Sequence, residues 1–445
     1  MDGAAIKAFR PRSVVRNEEV YFTPGISWSR ISIGNPSFRQ FDVGFIIGDK
    51  GPGIFTDLPL GSVLAFLNSC VAAKYLSILS PTVGFEVGQV RDLPFRDLGP
   101  EVADIVAGLV SESRNEWNSA ETSWDFRGSP LLNVNAESST VGANWQVLKE
   151  QRDVAIRRMQ ELETENNRLF INAYGLQDEL SPDVPEEQIT LVRADRKRDM
   201  AAFLSYAVGC MMGRYSVDAP GLILADAGDT LANYVTKVGK PLEELSFVPD
   251  EDGIIPVLDG EWFEDDVVAR TRDFLRATFG EATLRENLRF IEESLGKDLR
   301  KYFLTDFYKD HLQTYKKRPI YWMVQSPKKG FSVLVYLHRY TRDTMNRVLN
   351  RYLRDYQVKL RNRLEQLAMV QASATASARD KTAARKEADK LTRILTECQE
   401  WERQTLLPLA QARIELDLDD GVKVNYLKLG EALAPIPGLA ARDDE

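Results

Sequence analysis

Asn144–Gly175 reads NWQVLKEQRDVAIRRMQELETENNRLFINAYG. Along it Val147, Leu148, Val154, Ala155, Met159, Leu162, Leu169 and Phe170 recur at helical spacing, which gathers them on one face of a 3.6-residue repeat. Gly175 stands where a left-handed residue closes such a helix. A long helix packed on one face is therefore expected, and it divides the chain into two differently patterned parts.

Upstream, residues 13 to 58 alternate apolar and polar positions and are cut by Pro24-Gly25, Gly34-Asn35-Pro36 and Gly51-Pro52-Gly53, the pattern of short strands and turns. An apolar helix is expected at about 60 to 79, then a strand over Val83–Val90 ending at Leu93-Pro94-Phe95. An amphipathic helix follows over 100 to 120, entered through Pro100. Gly128–Gly142, rich in Ser, Asn and Gly, reads as a linker.

Downstream, residues 196 to 213 form another helix. Residues 241 to 266, with ten acidic residues and no basic one, read as solvated. Tyr321–Ser326 and Phe331–Tyr336 flank Pro327-Lys328-Lys329-Gly330 as a hairpin. From Arg339 to Arg413 almost everything favours helix, and the Ala/Ser-rich stretch 371 to 379 turns it into an antiparallel helical hairpin. The expected class is α+β: a β-rich domain at 1–125, a mainly helical domain with a small hairpin at 144–336, and a long helical hairpin with a tail at 337–445.

A chain of 445 residues, 44% hydrophobic and 28% charged, has the composition of a globular protein with two or three packed units. The basic segment Met1–Arg16 lacks the apolar region of a secretory signal. The most apolar window, Leu60–Leu79, contains Asn68 and Lys74 and reads as a buried core helix rather than a membrane span. Cys70, Cys210 and Cys398 are odd in number and far apart, so no disulfide and a cytoplasmic location are expected. His311 and His338 stand in no metal-ligand spacing, and no metal is expected.

The net charge of −9 is unevenly spread. Lys297–Arg363 holds 17 Lys/Arg against five Asp and no Glu, a local excess of twelve positive charges. Among them stand Tyr302, Phe303, Phe307, Tyr308, Tyr315, Tyr321, Trp322, Phe331, Tyr336, Tyr340, Tyr352 and Tyr356. Basic groups near phosphate release counterions, and planar rings either stack on bases or fill a core. Two readings stand side by side here: a phosphate-tracking surface, or a basic helical face with core aromatics, solvated or paired with the acidic stretch 241 to 266.

No catalytic constellation stands out. There is no phosphate-binding GxxxxGK[ST] loop, no GxSxG elbow, and no Asn/Asp-Pro-Pro-aromatic string of the kind that holds a flipped adenine. The nearest approach, Asn35-Pro36-Ser37-Phe38, reads as a turn. Asp417-Leu418-Asp419-Asp420-Gly421 reads as a capping turn rather than a calcium loop.

Several strings nevertheless carry a family resemblance. Tyr21–Ser29 (YFTPGISWS) with Lys50–Phe55 (KGPGIF) resembles the opening of the target-recognition domain in PglX-type adenine-specific DNA methyltransferases of bacteriophage-exclusion (BREX) systems. Leu67-Asn68-Ser69 with Pro81–Gly88 (PTVGFEVG) resembles that domain's close, where family members often carry Asp at the position of Gln89. Trp117–Phe126, Asn166–Leu180, Ser205–Ser216, Arg318–Trp322 with Pro327–Tyr340, and Asp417–Tyr426 extend the likeness over nearly the whole chain.

The resemblance implies a phage-defence enzyme that methylates adenine N6 in a specific site of double-stranded DNA, with S-adenosylmethionine as cofactor. It also implies that the cofactor-binding and Asn-Pro-Pro-aromatic motifs precede the recognition domain. On that reading this sequence is a recognition and C-terminal half, inactive alone, that binds no cofactor itself and whose partners are DNA, a catalytic half and other BREX proteins. The alternative is a non-catalytic scaffold that docks other phage-exclusion proteins.

Recognition domains of this kind read bases through polar and basic side chains on loops. The candidates are Trp28, Ser29, Arg30, Ser32, Arg39 and Lys50. Lys316, Lys317, Arg318, Lys328 and Lys329 are candidates for phosphate contact, because a hairpin tip and its approach present cationic groups without burying them.

Overall fold

The computed structural model describes residues 16–133 and 140–439. The basic N-terminus up to residue 15 and part of the expected linker, 134–139, lie outside these residues. The chain divides into two compact units, one of Met1–Trp117 with Glu150–Arg193 and one of Asn118–Lys149 with Ala194–Glu445. This division runs differently from the segments 1–125, 144–336 and 337–445.

In the first unit, strands β1 (Gly25–Trp28), β2 (Phe38–Phe41) and β3 (Gly53–Ile54) form an antiparallel sheet in the order β2-β1-β3. Trp28 opposes Phe38 and Ile26 opposes Ile54. Position 25 admits only glycine, because a Cβ there would lie 2.7 Å from the Ile54 carbonyl oxygen and from the Phe41 ring. The sheet packs on α1 (Leu60–Leu67) and α2 (Cys70–Leu79). Below it, Ile26, Trp28, Phe38, Phe66, Phe85, Phe170 and Ile171 share one core.

The apolar run 60 to 79 is two helices bent by 65° rather than one. Asn68 turns its side chain to strand β2, where its Oδ1 accepts the Phe38 N–H and its Nδ2 donates to the Phe38 carbonyl, both at 3.1 Å. Ser69 then caps the new helix by accepting the Ala72 N–H. Asn166 and Asn167 brace the break, donating to the Ala65 carbonyl and accepting the Cys70 N–H. No single helix among the described residues is long and apolar enough to cross a membrane.

Val83–Val90 is likewise not a strand. Gly84 makes one bridge to Ile31, and Gln89 accepts the Glu86 N–H at 2.8 Å. That capping box starts the short helix α3 (Val87–Arg91) and overrides the alternation of apolar positions. Helix α4 (Ala103–Asn118) follows. The long helix α5 (Val141–Tyr174) contributes to both units and ends at Gly175, which has φ of 68°.

The second unit is built on α6 (Arg196–Met212), whose residues from Met200 to Met212 are mostly buried. Strands β4 (Ile254–Pro256), β5 (Tyr321–Gln325) and β6 (Ser332–Tyr336) form a second antiparallel sheet, with β6 in the middle. Helices α7 (Val267–Phe279) and α8 (Leu284–Leu295) flank the core. Helices α9 (Arg354–Ala372) and α10 (Ala378–Trp401) are the expected antiparallel hairpin, restarted by Ser377, whose hydroxyl accepts the Asp380 N–H.

The acidic stretch 241 to 266 is the largest departure from the sequence reading. It is not a solvated run: it carries β4, and Asp250, Asp252 and Asp266 are buried. Asp250 Oδ1 accepts the N–H groups of Asp252, Gly253 and Ile254. The Tyr352 hydroxyl reaches Asp252, Asp265 and the Ile254 carbonyl, each at 3.1 Å. Fixed main-chain and phenol donors let these carboxylates enter the interior.

Burial, and then the charge of Asp250, push the Asp252 carboxyl up to about 7. An unfolded Asp titrates near ~3.9, so between roughly pH 4 and 7 the folded chain binds the extra proton and its stability falls as pH rises. Asp252→Asn is expected to flatten that slope in urea melts taken across the window. An unchanged slope would assign the proton elsewhere.

A second consequence concerns Gly209 on α6. A Cβ there would sit 2.3 Å from Cδ2 of Tyr215, a ring 1% exposed and stacked on Tyr206 at 5.3 Å. Gly209→Ala is expected to cost about 1–3 kcal/mol through overpacking, despite alanine's better helix propensity. Thermal unfolding checks it, and a stabilised variant would show that the ring can move.

Candidate nucleic-acid interface

The first unit holds an open cleft of about 330 Å³, lined by the Pro81–Gly88 string, by α2 and by the turn after β1. The Phe85 N–H donates to the Arg30 carbonyl at 2.7 Å, the Ser32 N–H donates to the Val83 carbonyl at 3.0 Å, and Ile31 bridges Gly84. These bonds lay the turn after β1 beside the loop after α2. Ser32 and Asn35 line one side, and Ser77, Ser80 and Thr82 are among the lining residues opposite. Ser77 and Ser80 donate to the carbonyls of Lys74 and Gly84, and Thr82 accepts the Gly84 N–H. The Ser32 hydroxyl and the Asn35 amide have no hydrogen-bond partner among the described residues. Around the cleft Ile31, Ile33, Ile78 and Val83 are exposed, Ile33 at 97%.

The sequence candidates of this unit separate into different roles. Trp28 is buried in the core, 3% exposed, and its indole N–H donates to the Phe85 carbonyl, so its ring is no platform for a base. Arg30 stands between two carboxylates, Nε on Glu86 at 2.8 Å and Nη1 on Asp49 at 2.9 Å. The hydrogen bond and charge of Glu86, with the charge of Asp49, raise its pKa above the ordinary guanidinium value. Its position is that of a clasp between the loops that carry Asp49 and Glu86. Ser32 lines the cleft, whereas Ser29, Arg39 and Lys50 are exposed outside its lining. Lys50 sits 3.5 Å from Asp49, and Arg39 lies on β2 within electrostatic reach of Glu163.

Sequence reasoning missed Asn35, Ser77, Ser80 and Thr82, which line the cleft with Ser32. Gly34-Asn35-Pro36 was legible as a turn, but nothing local says which loop it meets.

In the second unit, the aromatic residues of the basic segment are core rather than stacking surfaces. Tyr302, Phe303, Phe307, Tyr321, Trp322, Phe331, Tyr336, Tyr352 and Tyr356 are each about 1% exposed or less. Many of the cations are spent on the acidic stretch. Arg300 binds Asp266, Arg351 binds Glu251 and Asp252, Arg339 donates to the carbonyls of Met212, Asp250 and Glu251, and Lys359 donates to the Trp262 carbonyl. The reading in which this segment pairs with residues 241 to 266 is the one realised at these positions.

Lys316, Lys317, Arg318, Lys328 and Lys329 remain exposed, and none has a carboxylate partner among the described residues. They form two groups rather than one. The first precedes β5 and the second forms the β5–β6 turn, separated by a five-residue strand of about 16 Å.

No group of three or more His, Cys, Asp or Glu that could hold a metal is found among the described residues. His311 is a core residue whose Nε2 accepts the Ile320 and Tyr321 N–H groups, and burial holds its pKa down at about 3. Both sheets are antiparallel. No described strand therefore leads through a glycine-rich turn into a helix laid on a parallel sheet, and the described residues do not fit S-adenosylmethionine.

No known family profile matches the chain. Comparison with curated proteins does give a class: the chain is related, over almost its whole length, to adenine-specific methyltransferases. Over 439 residues, 95% of the chain, it is 39% identical to the adenine-specific methyltransferase PglX of Lacticaseibacillus casei (strain Zhang), covering 36% of that protein. Over 481 aligned positions, 100% of the chain, it is 31% identical to the adenine-specific methyltransferase BrxX of Escherichia coli O9:H4 (strain HS), covering 39% of it. The chain is thus PglX-like and spans between a third and two fifths of the length of these relatives.

Proposed function

We propose that this chain is the DNA-recognition and C-terminal part of a site-specific adenine-N6 DNA methyltransferase of a BREX phage-defence system, acting in the cytoplasm on double-stranded DNA. One observation carries the reading: the turn that follows the Tyr21–Ser29 string and the loop after α2, which opens the Pro81–Gly88 string, meet in an open cleft with unspent hydroxyl and amide groups. A side-chain amide reads adenine through N6 and N7, hydroxyls read several base edges, and exposed aliphatic groups suit the thymine methyl. Ser32 and Asn35 are the base-reading groups on this proposal. S-adenosylmethionine and the transfer chemistry belong to the part of the enzyme that this chain does not match.

The exposed aliphatic rim favours one second reading, a scaffold that docks other BREX proteins. Reconstitution separates the two. Supplied with a matching catalytic part, the chain is expected to restore methylation at a defined adenine that neither piece performs alone, read by sequencing the modified bases. Absence of methylation from any such pairing would favour the scaffold.

A further inference from the structure

Helix α10 carries a row of cations that the sequence reading did not single out. Arg379, Lys386, Lys390 and Arg393 follow at intervals of seven, four and three residues. At 100° per residue they fall within about 60° of arc, and at 1.5 Å per residue they extend along about 21 Å. All four are exposed. Alongside the row the buried residues are Ala384, Leu391 and Cys398, roughly 80° or more around from it, and buried Trp401 returns to the arc only at the end of the helix, beyond Glu397.

The row does not stop at Arg393. Glu397, one turn further on the same arc, accepts the main-chain N–H of Lys328 at 2.6 Å. That bond pins the β5–β6 turn to the end of the row. The approach is close: a Cβ at Gly330 would stand 2.7 Å from Glu397 Oε2 and 3.3 Å from Ile394 Cγ2. Lys328 and Lys329 therefore continue the line of charge that begins at Arg379.

Within the arc Glu397 is the one carboxylate α10 offers, and it is engaged by the turn. Lys390 pairs with Asp259, but their side chains are 57% and 61% exposed, and such surface pairs exchange readily for other anions. Arg379, Lys386, Arg393, Lys328 and Lys329 have no carboxylate partner among the described residues. This sets them apart from Arg300, Arg351 and Arg363, which do.

We propose that this face of α10, extended by Lys328 and Lys329, is a phosphate-tracking surface for duplex DNA. The proposal rests on the reading that the chain acts on DNA and adds where the backbone is held. Each strand presents a phosphate about every 3.4 Å of duplex axis while winding around it, so a straight row of this length meets a few phosphates where the backbone crosses it. Because the chain as a whole carries −9, duplex is attracted only where cations are locally unopposed. A row of cations holds position without reading sequence, which complements the cleft of the first unit.

The test compares two triple reversals of equal charge in the full chain. One is Arg379→Glu, Lys386→Glu and Arg393→Glu, and the other is Lys316→Glu, Lys317→Glu and Arg318→Glu. Binding to a duplex of about 25 base pairs is followed by fluorescence anisotropy over a salt series. The α10 triple is expected to lower the slope of log affinity against log salt by about 2–3, near 0.9 for each phosphate no longer neutralised, with a similar weakening on unrelated duplexes. The Lys316 triple is expected to lower it by less than half as much.

Equal effects would show that only net charge matters, and a larger effect from the Lys316 triple would place the surface at the other end of β5. Either result overturns the proposal. An Arg379→Gln, Lys386→Gln, Arg393→Gln triple, expected to release the same phosphates, keeps the test valid if the reversals disturb folding by circular dichroism. Displacement of duplex by polyglutamate of matched charge at equal concentration would identify an acidic protein partner instead. A wild-type chain that binds no duplex at low salt would sink the DNA reading itself, whereas intact binding by the α10 triple sinks only this surface.

Discussion

Replacing Arg300 with leucine is expected to destabilise the second unit by about 3–5 kcal/mol, the usual consequence of leaving one partner of a buried ion pair behind. Arg300 grips Asp266 with both terminal nitrogens, at 2.8 and 2.9 Å, and Nη1 also donates to the carbonyls of Leu258 and Gly260. The Asp266 side chain is 1% exposed and caps α7 by accepting the Val268 N–H at 3.0 Å. Leucine would leave a carboxylate and two carbonyls without their strongest donor in a site water hardly reaches. Asp266→Asn added to Arg300→Leu removes the stranded charge while keeping a capping oxygen, so the double variant is expected to recover part of the loss. Urea unfolding of the single and double variants measures both. A single-variant loss below about 1 kcal/mol would mean that the carboxylate finds water, and the pair would then be worth no more than a surface one.

The same pair shows which parts of the fold were legible in the sequence. Helix α5, its closure at Gly175, the β5–β6 hairpin and the α9–α10 hairpin are written in patterns a few residues long. Periodicity and turn chemistry suffice for those. The acidic stretch gave the opposite outcome because its solvent exposure depends on distant donors. Arg300, Arg339, Arg351 and Tyr352 lie between 34 and about 100 positions downstream of the carboxylates and carbonyls they satisfy. Local charge density carries no trace of them. The break between α1 and α2 failed for the same reason, since Asn68 has to find Phe38 before it can end a helix.

The candidate site was legible in the same partial way. Ser32, a polar loop residue, lines the cleft, but Trp28 and Arg30, residue types suited to bases, are engaged by the protein itself. A tryptophan or arginine in a recognition string fits a structural role as well as a reading one, and only burial and partners distinguish the two.

In the reconstituted methyltransferase, Asn35→Ala with Ser32→Ala is expected to change the set of methylated adenines more than the amount of DNA bound. These two groups stand in the cleft with their hydrogen-bonding capacity unspent, so on the proposed reading a base edge is what satisfies them. A good bidentate base contact discriminates by about 1–3 kcal/mol, so removing it should relax one position of the motif by roughly 5- to 150-fold. Phosphate contacts elsewhere still hold the duplex. Arg30→Ala should behave differently. Removing its ion pairs frees the turn after β1 from Glu86, next to the lining residue Phe85, and from Asp49, so methylation falls at every site without a new motif appearing. Arg39→Ala, on β2 and outside the lining, should leave the motif as it is. The readout is the sequence context of each modified adenine, with duplex affinity measured in parallel. If the Asn35 and Ser32 variant keeps the parent motif while Arg39→Ala shifts it, bases are read from the exposed face of the sheet and the cleft has another occupant.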